Sequence, residues 1–95
     1  MEKLLADIKI ILDYLINNTD NPFIISTSKM IDEKLNQIRN RDFHTQESVD
    51  YFCNYIIDKD IDKMKRVITS ETKIEYSKMD ELTQLIYKIK EQYFN

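Results

Sequence analysis

One histidine, one cysteine and one run of alternating acids are the residues whose types suit catalysis or metal binding. His44 stands in the polar stretch "RNRDFHTQE". A general base or a metal ligand needs a second polar group at a fixed spacing, and His44 lacks that company. It reads as a loop or capping residue. Cys53 falls among Val49, Phe52, Ile56 and Ile57, and a free cysteine on an apolar stripe behaves as a small hydrophobe. "DKDID" (58–62) has the alternating acids that begin a calcium loop. It lacks the obligatory glycine, and Thr69 stands where the distal glutamate belongs, so the run reads as a solvated helix face. "KMKR" (63–66) reads as the basic end of a helix, where cations suit the dipole. With Arg39 and Arg41 it would also make a patch for acidic lipid or protein.

The tyrosines are a clearer excess: Tyr14, Tyr51, Tyr55, Tyr76, Tyr87 and Tyr93. A tyrosine at the rim of a core buries its ring and keeps its hydroxyl wet. Tyrosine is also enriched at protein interfaces. Tyr76, Tyr87 and Tyr93, with Phe94, cluster about the last helical segment, and Lys88 and Lys90 lie beside them. These six residues are the expected partner-binding surface.

The elements that must position them are helices. The chain has 95 residues, enough for one domain, and 42% of them are apolar. There is no glycine and a single proline. Tight hairpins lose their best turn residue, and phosphate loops and dinucleotide fingerprints are ruled out, so no cofactor is implied. Fourteen Lys and Arg against 17 Asp and Glu leave a net charge of −3, which does not suit a binder of duplex nucleic acid. A lone cysteine allows no intramolecular disulfide and fits a reducing compartment. The N-terminal stretch is interrupted by Glu2, Asp7, Lys9 and Asp13, unlike a signal peptide, and no apolar run reaches the roughly 18 residues of a membrane span. The expectation is a cytoplasmic chain.

Four amphipathic segments follow from spacings of three and four. The first, from Glu2 to Asn17, carries Leu4, Leu5, Ile8, Ile11, Leu12 and Leu15. "NNTDNP" stops it, and Asn21–Pro22 reads as N-cap plus first helical residue. The second, from Pro22 to Asn40, carries Ile24, Ile31, Leu35 and Ile38, with Thr27 and Ser28 in the gap. Thr45 is the expected cap of the third, whose stripe runs from Val49 to Ile68, with "DKDID" able to bend or break it. "TSETKIEY" is the third break. Ser77 and Asp80 then read as a variant capping box before Met79, Leu82, Leu85, Ile86, Ile89 and Tyr93. "SKMIDE" (28–33) and "SKMDEL" (77–82) echo one another through shared capping grammar. Four helices with short connections pack most simply as an all-α, antiparallel up-down four-helix bundle forming a single domain over residues 1–95.

Three stretches carry a resemblance. "LINNTDNP" (15–22), "FHTQESVDYFCNYI" (43–56) and above all "TKIEYSKMDELTQLIYKI" (72–89) resemble, in order and spacing, the immunity proteins of pediocin-like bacteriocins, the enterocin A immunity family. Lys73, Ile74, Tyr76, Ser77, Glu81 and Leu82 occupy the places of that family's basic-apolar pair, aromatic, hydroxyl, acid and leucine. The resemblance implies an antiparallel four-helix bundle and a non-enzymatic cytoplasmic protector without cofactor. Its partner would be a membrane permease of the mannose phosphotransferase type with bacteriocin bound. It also implies that partner choice rests largely in the C-terminal half. Several relatives carry a tail where this chain ends, which here shifts weight onto helices three and four.

A second resemblance implies a different class. "IISTSKMIDEKLNQI" (24–38) is similar, at Ser28 and Asp32, to the Ser-Gln-Glu-Leu-Asp segment of small sporulation-type aspartyl-phosphate phosphatases. Action on a response regulator would require Ser28 and Asp32 to be exposed together.

Overall fold

The structure is a computed structural model that describes residues 1–68 and 73–94. Its elements are α1 (Glu2–Asn17), α2 (Pro22–Arg39), α3 (Gln46–Tyr55), a π-helical turn (Ile56–Ile61), α4 (Asp62–Val67) and α5 (Ser77–Gln92). Backbone dihedrals stay helical from Tyr55 through Asp62, so α3, the π turn and α4 form one continuous rod. There are thus four rods, and the long axis is 41 Å.

Contacts between rods set their directions. Glu2 meets Arg39 while Lys9 meets Asp32, so α1 and α2 run antiparallel. Ser28 meets Met64 and Lys34 meets Asp60, which turns the third rod against α2. Asn54 meets Lys90 and Lys65 meets Asp80, which turns α5 against the third rod. Tyr14 reaches Lys73 and Glu75 just ahead of α5, closing the ring back onto α1. The fold is an all-α up-down four-helix bundle, and the exposed ion pairs that report its register contribute little energy themselves.

The apolar stripes point inward as their spacing requires. Leu5, Ile8, Ile11, Leu12 and Leu15 of α1 meet Ile24, Ile31, Leu35 and Ile38 of α2, and Met79, Leu82, Leu85, Ile86 and Ile89 of α5 in one core. Thr27 and Ser28 are buried in the gap of the α2 stripe. The caps agree with local chemistry at two starts. Asn21 Oδ1 accepts from the amides of Phe23 at 2.9 Å and Ile24 at 3.4 Å, with Pro22 following. Thr45 Oγ1 accepts from Ser48 N at 3.1 Å.

Four features depart from the sequence-based expectation. Ser77 is the first residue of α5 and caps nothing; Tyr76 precedes it in helical conformation, and the carboxylate of Asp80 is drawn to Lys65 at 3.3 Å instead. The two "SKM" echoes therefore share no capping role, since Ser28 is mid-helix and buried. The "DKDID" run is not wholly a solvated face: Asp58 and Lys59 are exposed, but Asp60 is buried. The wider π turn brings Ile56, Ile57, Asp60 and Ile61 all inward, and Asp62 N bonds back five residues to Ile57 O. Finally, Arg39 ends α2 and Arg41 follows it, while "KMKR" lies beside the N-terminal half of α2, so the antiparallel packing holds the two basic groups apart. The break from "TSETKIEY" is described only from Lys73 onward, and Thr69 lies outside the described residues.

The end of α2 shows how a chain without glycine turns. Arg41 has φ 58°, the left-handed conformation that glycine usually supplies after a helix. Arg41 N bonds to Ile38 O at 3.0 Å and Asp42 N to Gln37 O at 3.4 Å, the paired bonds of a Schellman end. The guanidinium of Arg41 donates to the carbonyl of Tyr93 and lies 5.3 Å over its ring. A cation at the C-terminal end of α5 suits the dipole there.

Candidate functional site

The six residues expected to form a partner surface do not stay together. Tyr87 and Lys90 lie on the last turns of α5, and Phe94, four residues further on, lies just past its end. Tyr87 and Phe94 are exposed, at 41% and 49%. Lys90 is half-buried; its Nζ donates to Asn54 Oδ1 at 2.8 Å and lies 5.3 Å over the Tyr87 ring. Lys88 is exposed on the neighbouring side, next to Tyr87 in sequence and one turn beyond Leu85. Tyr76 is exposed but opens the other end of α5, about 16 Å along the axis at 1.5 Å per residue, with Lys65 near its ring.

Tyr93 leaves the surface altogether. It is 0% exposed, the largest fully buried side chain. Its hydroxyl accepts from Phe43 N at 3.2 Å and lies 3.5 Å from Phe43 O. Its ring meets Phe43 edge-on at 6.0 Å and Phe94 at 4.7 Å, and Phe43 packs on Phe52 at 4.7 Å. Edge-to-face pairs at such distances are favourable because the ring edge is positive and the face negative. The "polar break" after α2 thus supplies Phe43 as the lid of an aromatic cluster.

Beside Tyr87 and Lys90 the structure adds residues that sequence reasoning missed. Gln46, Asp50 and Glu91 line a shallow cleft with them. Gln46 Nε2 donates to Asp50 Oδ1 at 2.8 Å and to Lys90 O at 3.0 Å, tying the start of α3 to the end of α5. Gln46, Asp50 and Asn54 recur every four residues beside the apolar stripe, which is the signal that would have found them. The cleft offers hydrogen-bond donors, two carboxylates and one exposed aromatic ring, Tyr87. Such a mixture suits protein recognition more than bond-making chemistry.

The residues considered for chemistry separate widely. His44 is exposed in the loop between α2 and α3, while Thr45 does the capping. Ser28 is fully buried, with its Oγ 3.8 Å from Met64 Sδ, and Asp32 is held by Lys9 at 3.2 Å. The exposed Ser28–Asp32 pair that the phosphatase resemblance requires is therefore not formed. No group of three or more His, Cys, Asp or Glu among the described residues could hold a metal ion. No described helix is long and apolar enough to cross a membrane.

Cys53 is fully buried, and burial pushes its thiol from an ordinary 9.0 up to about 11, with nearby Lys90 opposing and Asp50 adding to the shift. The thiolate is the reactive form, so this cysteine is inert while folded. Folding holds the thiol proton more tightly than the unfolded chain does. This stabilising contribution is present below pH 9.0 and is lost as the pH rises toward 11. At pH 8 a disulfide probe should label the native protein at least about a hundredfold more slowly than the urea-unfolded chain. Equal rates would show that Cys53 is accessible.

Compared with known proteins, the chain matches no family model, no curated protein and no solved structure.

Proposed function

We propose that the chain is a non-enzymatic binding protein of the bacteriocin-immunity type. It protects its host from a pediocin-like bacteriocin by acting at the inner side of the membrane, on a mannose-phosphotransferase-type permease that has engaged the peptide. The reading requires no cofactor, small-molecule substrate or nucleic acid. Two things support it: the resemblance at residues 15–22, 43–56 and 72–89, and an up-down four-helix bundle of the kind that resemblance implies. The observation that carries the choice of surface is the exposed stripe of Tyr87 and Phe94 around Lys90, tied to α3 through Gln46 and Asn54. It belongs to the C-terminal half, where the resemblance places partner choice.

The test is intracellular expression in a bacteriocin-sensitive Gram-positive strain, challenged with a panel of pediocin-like peptides. Protection against one or a few peptides is the expected result. Replacing Tyr87, Lys88 and Phe94 together by alanine should lower protection by about tenfold or more, because exposed aromatics and adjacent cations dominate such contacts. Helical circular dichroism should be unchanged, since all three side chains are exposed. Unchanged protection in the triple variant would remove this stripe from the mechanism. Sensitivity to every peptide of a comprehensive panel would overturn the immunity reading.

A further inference from the structure

Tyr14, Tyr55, Tyr76, Tyr87 and Tyr93 each have a lysine or arginine of this chain 4.8–5.8 Å from the ring centre. A tyrosine ring attracts such a cation because its face is negative. Tyr51 is the exception. It is 74% exposed, more than any other tyrosine or phenylalanine described. No cation among the described residues lies over its ring, and none of their groups bonds its hydroxyl.

The residues around Tyr51 are carboxylates without a counter-ion. Glu47, Tyr51, Asn54 and Asp58 follow at spacings of four, three and four on the third rod. Asn54 holds Lys90, so this stripe borders α5 and continues the surface of Tyr87. Glu47 and Asp58 are exposed, and neither carboxylate pairs or hydrogen-bonds with a described residue. Asp50 and Asp80 on the same side are engaged, by Gln46 at 2.8 Å and Lys65 at 3.3 Å. The ammonium of Lys90 is held by Asn54 and the Tyr87 ring. Lys59 follows Asp58 directly, and adjacent residues on a helix do not face each other. Even with Lys59 and Lys88 counted from its edges, this side holds more acid than base. Glu47, Asp50, Asp58, Asp80 and Glu91 outnumber Lys59, Lys65, Lys88 and Lys90, and the Asp62–Arg66 pair cancels itself.

We propose that Tyr51, between Glu47 and Asp58, is a docking point for an arginine or lysine side chain of a partner polypeptide. The ring takes the cation on its face. The two carboxylates lie about 6 Å and about 10 Å away along the rod, at 1.5 Å per residue. An extended segment repeats its side chains on one side about every 6–7 Å, so alternate cations reach Glu47 and Tyr51 together. Arginine suits the place best, since its planar guanidinium stacks on a ring and also bonds a carboxylate. The inference rests on the α3–α5 side being the partner surface. To that reading it adds a residue on α3 and the charge of the partner's segment.

Nuclear magnetic resonance on the isotopically labelled full chain tests it, at low ionic strength. The probe is a capped octapeptide of alternating arginine and serine, and its control has glutamine in place of arginine. The arginine peptide should shift the amides from Glu47 to Asp58 saturably, and its side-chain methylene protons should move upfield against the ring face. The glutamine peptide should do neither. Tyr51→Leu should weaken binding about three- to fivefold, while Tyr51→Phe should leave it unchanged, because the ring and not the hydroxyl holds the cation. Glu47→Gln with Asp58→Asn should weaken it about fivefold. Circular dichroism should show the same helicity in each variant, as the altered side chains are exposed. Shifts absent or centred elsewhere would overturn the proposal. So would equal binding of the two peptides, or an affinity indifferent to Tyr51→Leu. No bacteriocin enters this measurement, so its failure is distinct from failure of the protection assay.

Discussion

Tyr93→Ala should remove about 3–5 kcal/mol of folding stability, the range for truncating a large buried aromatic. Domains of this kind hold about 5–15 kcal/mol in all, so the variant should be partly unfolded near its growth temperature. The cost has three sources. The ring leaves a cavity between Phe43 and Phe94, which pack against it from two sides. The amide of Phe43 loses the hydroxyl to which it donates. The guanidinium of Arg41 keeps its carbonyl partner but loses the ring face beneath it. Tyr93→Phe separates these effects. It keeps the ring, strands the Phe43 amide, and should cost only about 1–2 kcal/mol. Urea unfolding followed by circular dichroism measures both. A Tyr93→Ala variant within about 1 kcal/mol of the parent would mean that the aromatic cluster does not hold the α2–α3 connection to the end of α5. The point bears on function as well: an alanine set that includes Tyr93 should lower protection by destabilising the fold, whatever surface a partner uses.

The second large effect is expected at Asp60. Its carboxylate lies 2.5 Å from Lys34 Nζ, with side chains 9% and 20% exposed, and the same ammonium lies 4.8 Å over the Tyr55 ring. Removing one member of a buried pair leaves the other charge without its partner in a poorly solvated place. Asp60→Ala should therefore cost about 2–4 kcal/mol. This falls below the full penalty for complete burial, because Lys34 can extend its ammonium toward water. Lys34→Met with Asp60→Leu should recover most of that loss, since apolar side chains of similar volume need no desolvation of charge. The comparison of single and double variants is a coupling measurement on one contact between α2 and the π turn. If the double variant is as unstable as Asp60→Ala, the cost comes from the π turn itself and not from an orphaned charge.

These two residues also mark where local reading stops. The four rods, their inward stripes and the caps at Asn21 and Thr45 were legible because each depends on neighbours within about one or two turns. So was the exposure of Tyr87 and Phe94, since both lie off the apolar stripe of α5. The capping box at Ser77 was not realised: the turn from Glu75 and Tyr76 already supplies carbonyls to the amides of Lys78 and Met79, which places Ser77 inside the helix. Tyr93 continued the α5 stripe and was also counted as surface. Phe43 and Arg41, arriving from the α2–α3 connection, cover it together with Phe94. The cleft residues Gln46 and Asp50, and Asn54 through its bond to Lys90, joined the candidate site only when α5 was laid against α3.

The sequence by itself determined that the chain is helical, where its helices lie and which face of each turns inward. A period of 3.6 residues and the chemistry of helix starts are properties of single segments. The tertiary structure alone decided that Asp60 and Tyr93 go inside, that the third rod widens into a π turn, and that Arg41 takes a left-handed conformation beside the end of α5. The physical reason is common to all of these. Each depends on the axial register between two helices, and that register is set by side chains from distant parts of the chain meeting in one packed core.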